Sequence, residues 1–296
     1  MRYLQCLAIT FLFTITATAQ ALPKTQLYSF NVQGDSEKGF MLNSGKLLTS
    51  FNSKGYNNQP FVTDDGKLYY SIRLSDMDQN DIYVLDLRSA QRYRFTATNE
   101  SEYSPWVDPV KGVLYCIRVN ENSTPKQQLW AYPLDRSDSG KPVWRTDMEA
   151  GYFCPANDSL MAVFTLNDNE GGDLQIVNTN SGVANTIGEN IGRTLKPDEN
   201  GDILFLHRAS DELQYLKLYE VREKRAKVLT RMNMDINDFA YDQGLIWFAE
   251  GSRIMVFNPD AGLKREIADL AIYDINGITR LFLYDNSLIL VNDPNK

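Results

Sequence analysis

QPFVTDDGKLYYS, residues 59 to 71, is the clearest copy of a phrase that this chain writes six times. With Gly66 of its turn as marker, equivalent turns fall at Gly112, Asp158, Gly201, Gly244 and Asn286, at intervals of 46, 46, 43, 43 and 42 residues. Each marker is Gly, Asn or Asp, the residues that tolerate a left-handed backbone in a hairpin turn. A bulky apolar residue precedes each turn: Phe61, Trp106, Phe153, Leu195, Phe239 or Leu281. These six are expected to form a column of plugs at equivalent depth. A β-rich run follows each turn, as in KLYYSI, VLYCIRV and LMAVFTL. Most copies then add a third segment (DIYVLDL, QLWAYPL, DLQIVN, YLKLYEV, RIMVFN) and a less regular fourth (QRYRFT, PVWRT, VANTI, AKVLT, LKREIAD).

Four short strands in a period of this length predict a propeller blade. The ends of the chain decide whether the ring closes. The last copy, ITRLFLYDNSLILVN, holds two strands, while QLYSFNV (26 to 32) and GFMLNSGKLLTSF (39 to 51) read as a third and fourth without a first pair. Joined, they complete a sixth blade and remove the unpaired edge that an open sheet exposes. The expected fold is therefore all-β: a six-bladed β-propeller of four-stranded blades, closed by N-terminal strands that complete the C-terminal blade. An open β-solenoid is the alternative, but its repeats are usually shorter.

The string PFVTDDGKLYYS, then DMDQNDIYVLDL, YRFT and ESEYSPWVDPVKGVLYC, resembles the TolB-like family of six-bladed propellers, a WD40-like repeat family. Its repeats read Pro-x-x-Ser-x-Asp-Gly-Lys, an apolar run, a Ser-Asp loop and Asp-Ile-Tyr-Val-x-Asp. The match is strong in the first two complete repeats and decays afterwards. The motif proline stands at Pro60 and Pro105 and is replaced by Tyr152, Thr194, Asp238 and Arg280. The resemblance implies export and a binding role, without the extra N-terminal α/β domain of TolB, and transfers no binding residue.

Residues 1–21 carry Arg2, an apolar run from Leu7 to Ile15 and two overlapping Ala-x-Ala sites ending at Ala19 and Ala21. This is the pattern of a secretory signal peptide, too short for a membrane span. One propeller domain over 22–296 is expected, exported to the periplasm or beyond, with no membrane span. Lipidation at Cys6 is disfavoured because the apolar run follows it. Cleavage removes Arg2 and no acid, taking the formal charge from -8 to about -9. Such a balance disfavours nucleic acid and anionic membranes. Cys116 and Cys154 sit in apolar strand patterns and read as buried free thiols, a disulfide between them being the alternative. The sequons at Asn99, Asn122 and Asn157 are expected to stay unmodified, given the bacterial leaning of the resemblance.

Loops returning from an outer strand to the next inner strand cluster at one mouth of a propeller. Read off the repeats, they bring Glu100, Glu102, Tyr103, Asp147, Glu149, Tyr152, Arg193, Asp235, Asp238, Tyr273 and Asp274 to that opening. Acids of one dominant sign focus cations or basic partners. The opposite turns are acidic too (Asp64, Asp65, Asp108, Asp198, Glu199), and polar loops are solvated in any fold. The binding set is taken as Glu102, Tyr103, Glu149, Tyr152, Arg193, Asp238 and Asp274.

Asp76, Asp78 and Asn80 alternate as calcium ligands would, but Asp81 and Leu87 stand where an EF-hand needs Gly and Glu. LNDNEGGD, with Asp168 and Glu170, reads the same way. No metal site and no cofactor are expected. The sole histidine, His207, falls in a predicted loop after DILFL, and no Gly-x-Ser-x-Gly elbow or phosphate loop is present. The expected function is a non-catalytic module, a monomer, that binds a protein, peptide or glycan at the mouth. The alternative is a carbohydrate-active hydrolase or lyase using carboxylates placed across it.

Overall fold

The computed structural model describes residues 22–144, 147–167 and 171–296. The expected signal peptide, Asp168 and Glu170 lie outside the described residues. Among the described residues, twenty-four strands form six antiparallel four-stranded sheets around a central channel. From the channel outward, blade I is β3(Tyr56–Val62), β4(Lys67–Arg73), β5(Asp81–Asp86) and β6(Arg92–Arg94). Blade II is β7(Ser101–Asp108), β8(Val113–Val119), β9(Gln127–Pro133) and the two-residue β10(Lys141–Pro142). Blade III is β11(Ala150–Pro155), β12(Leu160–Leu166), β13(Gly172–Asn178) and β14(Ala184–Gly188). Blade IV is β15(Ile191–Pro197), β16(Ile203–Ser210), β17(Leu213–Glu220) and β18(Arg225–Met232). Blade V is β19(Phe239–Asp242), β20(Leu245–Glu250), β21(Arg253–Asn258) and β22(Leu263–Asp269).

Blade VI comes from both ends: β23(Ile278–Tyr284) and β24(Ser287–Asn292) pair with β1(Gln26–Asp35) and β2(Gly39–Leu47), in the order β2-β1-β24-β23. The β1–β24 register runs from Gln26 opposite Asn292 to Asn31 opposite Ser287. The segment entering β1 is also fastened to blade I: Thr25 Oγ1 donates to the Asn57 carbonyl at 2.7 Å, and Asn57 Nδ2 donates to the Thr25 carbonyl at 2.6 Å. The two strands differ slightly in extent from the sequence expectation. β1 runs on to Asp35, and β2 stops at Leu47 before a 3-10 turn over Ser50–Asn52.

Blades cohere through their faces. Among the described residues, six clusters of buried apolar side chains lie one at each blade interface. Between VI and I, for instance, Leu27, Ile289 and Val291 meet Leu68, Tyr70 and Ile72. The alternation of the strands explains this: each blade is buried on both faces, so both sets of side chains are apolar. Cys116 and Cys154 are free and buried in two different clusters, as the apolar context suggested.

The turn markers behave as expected where they are glycine. Gln243 and Gly244, at φ 48° and 78°, form a two-residue hairpin between Asp242 and Leu245. Two positions differ. In blade III no residue of the turn takes a positive φ; Asn157 Oδ1 instead accepts from the backbone N–H of Ser159 and Leu160. In blade VI the left-handed residue is Asp285, at φ 49°, rather than Asn286. His207 also departs from expectation, since it lies inside β16 opposite Ile191 and Tyr215 rather than in a loop.

Phe30 is 1% exposed on β1 and packs with Leu281, Leu288 and Leu290. Phe30→Ala is expected to cost about 3–5 kcal/mol in chemical denaturation while unfolding stays a single transition. A loss below about 1 kcal/mol would show that the N-terminal strand adds little to the ring.

Candidate functional site

The six plug residues occupy equivalent registers, each opposite a residue of the second strand, as Phe153 faces Val163 and Leu281 faces Leu290. Phe153, Leu195, Phe239 and Leu281 are buried. Phe61 and Trp106 are less so, because their rings meet at 5.1 Å on the wall of the channel. The residue immediately before each plug is the position of the motif proline. In five of the six inner strands the pairing slips at this point, for example between Asn58 and Phe61, Tyr103 and Trp106, and Ile278 and Arg280. Such bulges bend the strand and re-aim a side chain. Gln59 and Ser104 pay for the bend with left-handed backbones, φ 57° and 54°.

A cavity of about 80 Å³ sits at this level of the channel. Pro60, Pro105, Tyr152, Thr194, Asp238 and Arg280 all line it, and so do Gln59, Ser104, Arg193 and Lys196. The four substitutions at the motif proline therefore converge. Asp238 Oδ2 accepts from Thr194 Oγ1 at 2.9 Å and from Arg280 Nη1 at 3.4 Å, while its Oδ1 accepts from the backbone N–H of Leu281 at 3.0 Å. Arg280 Nη2 donates to the Tyr152 hydroxyl at 3.1 Å, and Arg193 Nη2 to the Thr279 carbonyl at 3.3 Å. On the other side Gln59 Oε1 accepts from Ser71 Oγ at 2.9 Å and from the Ser104 backbone at 3.0 Å, joining blades I and II.

Charge in this cavity is positive. Burial pushes the Tyr152 phenol up, but Arg280 and Arg193 outweigh it and leave the group below its ordinary value. Arg193 is itself depressed, first by the like charge of Arg280 and then by burial. Burial likewise depresses Lys196, against the pull of Asp238. Arg280 moves the other way, because Tyr152 and Asp238 overcome the burial that opposes its charge. Beside this cavity a wider pocket of about 420 Å³ opens among the loops preceding β19 and β23, sharing Arg193, Asp238 and Arg280 with it.

Of the residues expected at the mouth, the structure brings Tyr152, Arg193 and Asp238 together, Asp235 joins Arg193 and Asp238 in the wider pocket, and Tyr103 lies nearby, its ring 6.4 Å from that of Tyr56. Glu102, Glu149 and Asp274 do not join them. Glu149 accepts from the Lys126 backbone at 3.2 Å, and Asp274 is exposed after the 3-10 turn Leu270–Tyr273. Glu102 is fully buried in blade II, where it accepts from Thr98 and lies 3.9 Å from Arg118. Bases and acids together line the channel at this level, rather than acids alone. Asn80 of the suspected calcium loop is turned inward and donates to the Tyr103 hydroxyl, and Asp81 is paired with Arg94 at 2.8 Å. Arg280, Thr194 and Lys196 line the cavity as well and do not belong to the set expected from the sequence. The signal was present, since Thr194 and Arg280 stand where the motif has proline.

No family model and no curated protein matches this sequence. Solved structures do match it in fold. A putative TolB from Agrobacterium tumefaciens aligns with TM-score 0.66 at 12% identity, over 92% of this chain and 99% of that one. TolB from Acinetobacter baumannii aligns with TM-score 0.57 at 13% identity, over 82% of this chain and 63% of that one. An oligogalacturonate lyase in complex with manganese aligns with TM-score 0.57 at 13% identity, over 87% and 83%. A puromycin-hydrolyzing peptidase from Mycobacterium tuberculosis aligns with TM-score 0.59 at 12% identity, over 81% of this chain and only 45% of its own length. The protein is a six-bladed propeller with the TolB-like fold. That fold carries binding proteins and enzymes alike, so function rests on the site.

Two outcomes follow from these environments. Burial first, with Asp81 adding, raises the Glu102 carboxyl to about 7, against the hydrogen bonds from Thr98 and Thr96 and the Arg118 charge. A native acid that holds its proton more tightly than the unfolded chain loses stability as pH rises through the interval from the unfolded value to about 7. Glu102→Gln is expected to flatten the melting temperature between pH 5 and 8 and to raise it at the upper end; an unchanged pH profile would contradict this. Asp238→Ala strips a buried arginine of its carboxylate and is expected to cost about 3–5 kcal/mol in denaturant titration.

Proposed function

We propose that this protein is an exported binding module that holds a protein, peptide or glycan at the channel mouth and does no chemistry on it. The observation that supports this is the state of Asp238. It is the carboxylate lining the inner cavity among the described residues, and Arg280, Thr194 and the Leu281 backbone already engage it. A carboxylate held in this way serves as a structural anchor, whereas acid–base hydrolysis of a glycoside needs a carboxyl free to exchange its proton or to meet the sugar. Preformed loops on a rigid ring lose little entropy on binding, which favours recognition at the mouth. Residues 1–21 direct export in this reading, and the propeller over 22–296 is the mature unit, acting as a monomer. No helix among the described residues is long and apolar enough to cross a membrane.

The competing reading is a carbohydrate-active hydrolase or lyase. A lyase shares the fold, which keeps that class in view. One experiment separates the two. Protein recovered from its native envelope is expected to begin near residue 22, to carry a co-purifying ligand or partner, and to leave a glycan array bound but uncleaved. Turnover that disappears in a folded Asp238→Asn variant would overturn the binding reading in favour of the enzyme.

A further inference from the structure

The inner cavity holds more positive charge than its partners neutralise. Among the described residues, Arg193, Lys196 and Arg280 line it against the single carboxylate of Asp238. This occurs in a chain whose formal charge is -8, so the excess is local and opposite in sign to the whole. Arg280 is 9% exposed, and its Nε–H has no partner although Nη1 and Nη2 are engaged. Arg193 spends Nη2 on the Thr279 carbonyl, and its buried Nε–H also lacks a partner. A guanidinium carries five N–H donors, and leaving buried donors unmet costs free energy. Two such groups close enough to repel one another are held there by the ring, with the Tyr152 phenol beside them.

We propose that this cavity is an oxyanion site in which Arg193 and Arg280 receive a carboxylate or phosphate group. The remainder of the ligand lies in the adjoining pocket of about 420 Å³. Water does not offset the uncompensated charge; an oxyanion does, through the short charge-assisted bonds that arginine forms with carboxylate and phosphate. Size limits the group. A cavity of about 80 Å³ holds several waters, which suits one acidic head group and excludes a sugar ring or nucleobase. The wider pocket adds Asn237, Asn276 and Lys296 as contacts for the body of the ligand, and Asp235 as a second carboxylate, so the excess of positive charge belongs to the inner cavity and not to this pocket. The inference rests on the binding reading only in placing the ligand at this end of the channel.

Calorimetric titration of the full chain with glutarate and, separately, with inorganic phosphate tests it. At least one probe is expected to bind saturably, one to one. Arg193→Gln is expected to weaken that binding at least tenfold with an unchanged circular dichroism spectrum, and Arg193→Lys to recover part of it. Tighter glutarate points to a carboxylate ligand, and tighter phosphate to a phosphorylated one. Should Arg193→Gln not fold, Lys196→Gln replaces it, with a loss of about threefold expected, since removing one unit charge from a partly solvated cavity changes binding modestly. No saturable binding of either probe, or equal binding by the variants, overturns the site. That failure would leave capture of a partner by the mouth untouched, whereas turnover of a bound acidic ligand would overturn the non-catalytic reading and leave the oxyanion site standing.

Discussion

The pairing of β1 with β24 is what the rest of the molecule depends on. Six twisted sheets packed face to face form a circle only if the last blade is complete, and here its inner half is C-terminal and its outer half N-terminal. An incomplete blade would leave a row of unpaired backbone groups and expose the apolar faces on either side of it. Closure therefore couples the six interface clusters: the Leu27 face bears on blade I, and the Phe30 face on blade V, through one strand. The Thr25–Asn57 hydrogen bonds then carry the join across to the first inner strand.

A closed ring has a channel, and the width of that channel sets what its lining must do. Proline and a flanking aromatic, as in blades I and II, fill the wall with apolar surface: Phe61 packs between Trp106 and Phe282. In blades III to VI the same position holds Tyr152, Thr194, Asp238 and Arg280, so two blades give the wall an apolar part and four a polar one. Buried polar groups must be paired, and these pair with one another across the boundaries of blade V with IV and VI and, from Arg280 to Tyr152, between blades VI and III across the channel. The polar part thus stitches the ring at its centre as well as shaping the site. Its cost is the residual charge of Arg193, Lys196 and Arg280, which the protein itself does not offset.

The fold was legible because its signal is repeated. Period, turn residues, plug residues and the two half-blades at the ends each point to the same ring, and local errors, such as His207 in a strand or Asp285 as the left-handed residue, leave that conclusion untouched. The site was legible only in part, because function here resides in the departures from the repeat. Tyr152, Arg193 and Asp238 were named as loop residues of a mouth, whereas they meet inside the channel. Glu102 was named for the same reason, yet it points into the packing of blade II against Arg118. Its position one residue from the strand start gives no hint of which face it takes, and a single bulge reverses the answer.

What the amino-acid sequence determined by itself is the architecture: six blades, four strands each, and a closing sheet shared by both ends. Short-range chemistry suffices for that, since turn formation and apolar alternation act over a few residues and recur in every copy. What only the tertiary structure decided is the character of the channel. Tyr152, Thr194, Asp238 and Arg280 lie about 40 residues apart along the chain, and nothing local to any of them states that an arginine will find a carboxylate and a phenol around the axis. Electrostatics depends on distances through space, and those distances exist only once the circle has closed.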